Sequence, residues 1–85
     1  MHLYILKPKN PFASPWDPWY DKAFGFVARS GSPAEARKIA DANAGDENRE
    51  SGQPEHPWLD PKLSSCRVLR PDGKAGLVLW DFSAA

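Results

Sequence analysis

The sequence predicts a single α+β domain over residues 1–85, in which a four-stranded, mostly antiparallel sheet of ββαββ order packs one helix on one face. Runs of β-favouring residues lie near both ends of the chain, a strongly capped helix lies between them, and a turn motif separates the last two strands. Eighty-five residues leave room for one hydrophobic core.

The first strand is predicted at His2–Lys7, a β-favouring run that ends before a proline. Alternation places Leu3 and Ile5 on one face, with Tyr4 and Leu6 on the other. We expect this strand in the middle of the sheet.

A connection rich in proline and aromatic residues follows at Lys9–Lys22. Rigid aromatic side chains between prolines are typical of a preorganised recognition surface. The same residues could instead form a lid over the sheet face that the helix leaves uncovered. The two interpretations agree if Trp19 packs inward while Trp16 and Tyr20 remain partly exposed.

The second strand is predicted at Ala23–Arg29, with Phe26 in the core. Gly25 would let a large side chain pack across this strand, and a tryptophan of the preceding loop is the natural candidate.

The helix has the clearest local signal in the chain. Ser32 is its N-cap, Pro33 takes the first helical position, and Glu35 completes a capping box. The helix is predicted to run to about Ala44 and to end at Gly45. Its inner stripe has one large aliphatic anchor among smaller residues: Ala36, Ile39, Ala40 and Asn43.

The third and fourth strands are predicted at Cys66–Arg70 and Gly76–Phe82. The intervening Pro71–Gly73 indicates a hairpin turn in which Gly73 adopts a left-handed conformation. This arrangement would bury Trp80.

The chain has eleven basic and eleven acidic residues, unevenly distributed. Residues 31–60 contain three basic and seven acidic side chains, whereas residues 1–30 and 61–85 each contain four basic and two acidic ones. A neutral total argues against a general nucleic-acid-binding protein, so direct nucleic-acid binding is not expected. An acidic middle is typical of a solvated surface, and it could also dock to a basic groove.

No active-site motif is present. Cys66 is the single cysteine, so neither an intrachain disulfide nor a multi-cysteine metal site can form. His2 and His56 have no nucleophile partner that the spacing can identify. Asp17 and Asp60 each precede a proline, as turn-forming residues commonly do. We therefore predict no enzyme activity, no catalytic residues, no metal and no cofactor.

Several segments resemble a group of small bacteriophage and prophage proteins. They are Leu6–Pro8, Pro18–Val27, Glu35–Arg37, Asn43–Glu47, Trp58–Pro61 and Ser65–Cys66. The resemblance implies a genomic setting and assigns no catalytic residue. Small phage proteins of one domain are frequently inhibitors that bind a host machine, and anti-CRISPR proteins are a prominent class of them. With no apolar run of about 20 residues for a membrane span, the predicted location is the cytoplasm of the bacterial host, without membrane association.

The leading hypothesis is a non-enzymatic, phage-derived binding protein that inhibits or modulates a host defence or nucleic-acid-handling complex, such as a CRISPR effector. Trp16 and Tyr20 would anchor this host protein or nucleoprotein complex, while Asp46, Glu47 and Glu50 would meet a basic groove. One alternative is a small-molecule-binding or enzymatic domain of a small oligomer, and a homodimer stays open. Another is a single-strand nucleic-acid accessory protein.

Overall fold

The structure, a computed structural model, describes residues 1–16, 21–48 and 55–81. Within these residues one α-helix packs against a three-stranded antiparallel sheet, which confirms the α+β class. The helix and strands are β1 (His2–Pro8), β2 (Phe26–Ser30), α1 (Pro33–Ala42) and β3 (Ser64–Val68). Single 3-10 turns lie at Asp46–Asn48 and Pro57–Leu59.

The sheet has the order β2-β1-β3, so the first strand is central, as predicted. Tyr4 and Leu6 are buried in the core beneath α1, which confirms the predicted alternation along β1. Ile5 lies on the opposite face, where the register places it between Val27 of β2 and Arg67 of β3.

The C-terminal part of the chain differs from the prediction. β3 begins two residues earlier than expected, at Ser64, and ends at Val68. The described residues of the predicted fourth strand, 76–81, form no strand. A β-favouring sequence becomes a strand only where a neighbouring edge supplies hydrogen bonds in register. After Leu69 donates to the Leu3 carbonyl at 2.8 Å, the chain leaves the sheet. Gly73 does adopt a positive φ, of 148°.

Helix α1 begins as the sequence predicts. The Ser32 hydroxyl accepts a hydrogen bond from the Glu35 backbone N–H at 3.2 Å, and Pro33 occupies the first turn. The helix ends at Ala42, with Asn43 as its C-cap, slightly before the predicted end.

The inner stripe of α1 is only partly as expected. Ala36 and Ala40 are fully buried against the sheet. Ile39, the predicted anchor, is 38% exposed, whereas the neighbouring Arg37 is partly buried. The large side chains of Trp16 and Trp58 fill the space beside the small Ala36 and Ala40. The core cluster contains Tyr4, Leu6, Trp16, Ala28, Ala36, Ala40 and Trp58.

Candidate functional site

Trp16, a predicted partner anchor, lies in the core. Its side chain is 1% exposed and makes an edge-to-face contact with Trp58, with ring centroids 5.5 Å apart. Its indole N–H donates to the Ala23 carbonyl at 2.9 Å. The prediction that Trp16 remains partly exposed is therefore wrong, and it packs on the helix side of the sheet. Tyr20 and Trp19 lie outside the described residues.

Glu47, predicted as an acidic contact for a partner, is a buried carboxylate. Its Oε1 accepts from the backbone N–H groups of Ala23 and Gly45, each at 3.0 Å. Its Oε2 accepts from the Trp58 indole N–H at 2.6 Å. Three donors satisfy the charge, as a buried carboxylate requires. In this fold the side chain is inaccessible to a partner and joins three segments of the chain.

Of the other two predicted acidic contacts, only Asp46 lies within the described residues. Asp46 is half-buried, and its backbone N–H donates to the Asp21 carbonyl at 2.6 Å. Glu50 lies outside the described residues. A Cβ at Gly45 would collide with the Asp21 carbonyl oxygen, so only glycine fits at this crossing.

Arg37 holds the helix to the segment before β3. Its Nη1 donates to the Trp58 carbonyl at 2.9 Å and to Ser64 Oγ at 2.8 Å, and its Nη2 donates to the Ser64 carbonyl at 3.1 Å. Ser64 in turn donates to the Pro57 carbonyl at 2.8 Å. The sequence reasoning missed this role, although Arg37 shares the helical spacing of the buried Ala36 and Ala40.

His56 forms an unpredicted polar contact. Its Nδ1 lies 2.8 Å from Asp41 Oδ1, and the Asn48 amide donates to the same oxygen at 2.9 Å. The thiol of Cys66 lies at the other end of α1, 3.9 Å from the Pro33 carbonyl. Eight helical residues, about 12 Å, separate Pro33 from Asp41. The structure therefore does not bring Cys66 and His56 together as a nucleophile and base.

Cys66 itself packs against the core as a partly buried side chain. Burial raises the pKa of its thiol, and the nearby Arg37 guanidinium acts in the opposite direction. A raised pKa lowers the thiolate fraction, which disfavours a nucleophilic role at neutral pH.

The remaining acidic candidate has a structural role. Asp60 Oδ1 accepts from the Lys62 backbone N–H at 2.9 Å, which confirms the predicted turn. Within residues 1–16, 21–48 and 55–81, no three His, Cys, Asp or Glu side chains converge as metal ligands. No helix in this described part is long and apolar enough to cross a membrane.

Four consecutive apolar residues near the C-terminus, Leu77–Trp80, are exposed, and we call them the apolar run. Leu77 is 80% exposed and Trp80 71%, so the prediction that Trp80 is buried is wrong. Leu79, the least exposed at 37%, lies against Gly25, where an added Cβ would be 2.6 Å from its Cδ1. Gly25 therefore does accommodate a large side chain, which is Leu79, whereas Trp16 of the loop packs in the core.

The sheet face turned away from α1 combines aliphatic and basic side chains, and we call it the open face. Strand alternation and register place these residues on it: Leu3, Ile5, Lys7, Val27, Arg29, Ser65 and Arg67. Val27 is 48% exposed, and Arg29 and Arg67 are exposed. Every charged residue of the three strands is basic and lies on this face.

No family model, no curated protein and no solved structure matches this chain.

Proposed function

We propose that this chain is a non-enzymatic binding protein of bacteriophage origin that inhibits or modulates a host defence or nucleic-acid-handling complex, such as a CRISPR effector, by protein–protein contact. The apolar run carries the proposal, because its four consecutive side chains are between 37% and 80% exposed. Contiguous exposed apolar surface marks interaction sites, and tryptophan is among the strongest interface anchors. The phage setting and the host target come from the resemblance of the sequence.

The buried and partly buried polar side chains are used in structural hydrogen bonds, which supports a binding function over a catalytic one. Glu47 and Arg37 each make three hydrogen bonds that join segments of the fold. Burial raises the pKa of the Cys66 thiol, which disfavours a nucleophilic role. In this proposal Trp80 takes the anchoring role that the sequence assigns to Trp16.

The apolar run belongs to the segment that the sequence predicts as a fourth strand, Gly76–Phe82. In this proposal the segment pairs as a strand when a partner supplies an edge. Adding a strand to an exposed sheet edge is a recurrent mode of protein recognition, in which main-chain bonds give affinity and side chains give specificity.

The proposal is tested by phage plating on a bacterium with an active CRISPR system, with and without expression of this chain. We expect expression to raise plating of the targeted phage and the double variant Leu77→Asp/Trp80→Asp to lose that effect. Phe12→Asp is the matched control, since Phe12 is 87% exposed and lies outside the run. Unchanged plating on expression of the wild-type chain would exclude CRISPR inhibition. Full inhibition by the double variant would exclude the apolar run as the interface.

One observation favours the nucleic-acid alternative. The basic residues Arg67, Arg70 and Lys74 precede the exposed Trp80, and a base can stack on an indole beside cations. Steep salt dependence of binding to a single-stranded oligonucleotide would support this second function.

A further inference from the structure

The charged residues of the three strands are all basic and all lie on the open face. The three cations of the open face, Lys7, Arg29 and Arg67, share it with no acidic strand residue. None of the three forms an ion pair with a carboxylate in the described part of the chain. Cations without a partner on a shared surface create a positive field that attracts and orients an anionic partner.

The centre of the open face is aliphatic. The half-buried Leu3 and the buried Ile5 lie on β1, and Val27 lies beside Ile5 in the register of β2. Half of the Val27 side chain is exposed to solvent. Helix α1 covers one face of the sheet, and on the other face Leu79 of the apolar run lies against Gly25 while Val27 stays exposed. An apolar strip with cations around it is complementary to an amphipathic segment whose apolar stripe is flanked by carboxylates.

We infer that the open face, together with the apolar run, docks an acidic amphipathic segment of a partner protein. This inference rests on the proposed protein-binding function and names the chemistry of the partner. Arg29 and Arg67 would bind Asp or Glu side chains through their planar guanidinium groups, which match carboxylate geometry better than lysine does. Val27 and the apolar run would cover the apolar stripe of the partner.

The side chains of the open face favour a protein over a nucleic acid. Sheets that bind single strands present aromatic side chains on which bases stack. Here the aromatic strand residues Tyr4 and Phe26 lie on the core side of the sheet, and Phe26 packs edge-to-face on Trp58 with centroids 4.9 Å apart. The open face itself carries aliphatic side chains.

The inference is tested by NMR titration of the isotope-labelled full chain with a synthetic amphipathic peptide that has a leucine stripe flanked by glutamates. A peptide with lysine in place of every glutamate is the ligand control. We expect the glutamate peptide to shift the amide signals of β1, β2 and β3 residues on the open face, and the lysine peptide to leave them unchanged. The affinity for the glutamate peptide should fall as the salt concentration rises, because salt screens the attraction between the glutamates and the cations of the open face.

Charge reversal makes the test specific. Arg29→Glu/Arg67→Glu should abolish binding of the glutamate peptide. Lys38→Glu/Lys62→Glu makes the same change in net charge at exposed positions outside the strands, and it should bind nearly as wild type. If the first variant does not fold, Arg29→Gln/Arg67→Gln should still weaken binding.

Three results would overturn the inference. The first is no binding of the glutamate peptide up to millimolar concentration, and the second is signal changes confined to α1. The third is tighter binding of an oligothymidylate than of the peptide at the same face, which would assign the face to single-stranded nucleic acid. A negative plating assay with positive peptide binding would reject CRISPR inhibition only. Full inhibition in plating by Arg29→Glu/Arg67→Glu would reject the inference only.

Discussion

The two sides of the sheet are stabilised in different ways. On the helix side, Trp16 and Trp58 are buried, and Glu47 and Arg37 connect distant segments through hydrogen bonds. On the other side, the apolar run is exposed and meets the sheet where Leu79 lies over Gly25. The buried tryptophans and the hydrogen bonds that join distant segments therefore lie on the helix side, whereas the exposed apolar side chains lie on the other.

Tryptophans illustrate the contrast because the same residue type occurs on both sides. Trp58 is fully buried, with its N–H bonded to a carboxylate, whereas Trp80 is 71% exposed. A large aromatic side chain is stabilising in the first environment. In the second it is a candidate anchor for a partner.

The largest effect is expected from Glu47→Ala. The substitution removes the acceptor of the partly buried N–H groups of Ala23 and Gly45 and of the buried Trp58 N–H, and an unsatisfied buried donor costs about 1–3 kcal/mol. Their combined loss is comparable to the whole stability of a small domain. Urea unfolding followed by tryptophan fluorescence measures it, with the exposed Asp72→Ala as control. If Glu47→Ala unfolds at the same urea midpoint as wild type, the hydrogen bonds of Glu47 do not stabilise the helix side as proposed.

Two glycines compare the sides directly. Gly45→Ala drives a methyl group into the Asp21 backbone, and overpacking of this kind costs about 1–3 kcal/mol. Gly25→Ala meets the end of the Leu79 side chain, which can rotate away, so its free energy of unfolding should stay within about 0.5 kcal/mol of wild type. Thermal unfolding of both variants by circular dichroism checks the pair. Equal losses would mean that the C-terminal segment is held as firmly as the helix side.

Two aromatic truncations extend the contrast. Phe26→Ala removes a ring packed on Trp58 and should cost about 3 kcal/mol, at the low end for a buried phenylalanine because the ring is partly exposed. Trp80→Ala should change the free energy of unfolding by less than about 0.5 kcal/mol, as surface substitutions usually do. Parallel urea titrations measure both. A large loss of stability in Trp80→Ala would indicate that Trp80 is buried, as the predicted fourth strand requires.

A smaller effect is expected at the start of α1. Ser32→Ala removes the acceptor of the Glu35 N–H and should cost about 1 kcal/mol. Ser32→Thr retains a hydroxyl and should lose much less, which makes it the conservative comparison in the same unfolding assay. Equal stability of the alanine and threonine variants would show that packing of Ala36 and Ala40 determines where the helix starts.

The candidate site was harder to predict than the fold. Glu47 stands in a polar stretch, and nothing local indicates burial; its partners Ala23 and Trp58 lie 24 and 11 residues away. The open face could have been foreseen in part. Lys7, Arg29 and Arg67 each alternate with core residues along their strands, but strand register is needed to bring Arg29 and Arg67 to one face.

The features that the sequence determines by itself are those set by interactions between neighbouring residues. The alternation along β1 and the Ser32 cap depend on residues no more than a few positions apart, so both were predicted correctly. The burial of Trp16, the exposure of Trp80 and the lack of strand structure in residues 76–81 depend on which distant surfaces meet. A tryptophan gains from burial wherever a cavity accepts it, and a β-favouring segment pairs only where an edge is in reach. Such a cavity and such an edge exist only in the folded chain, because contacts between residues remote in sequence create them.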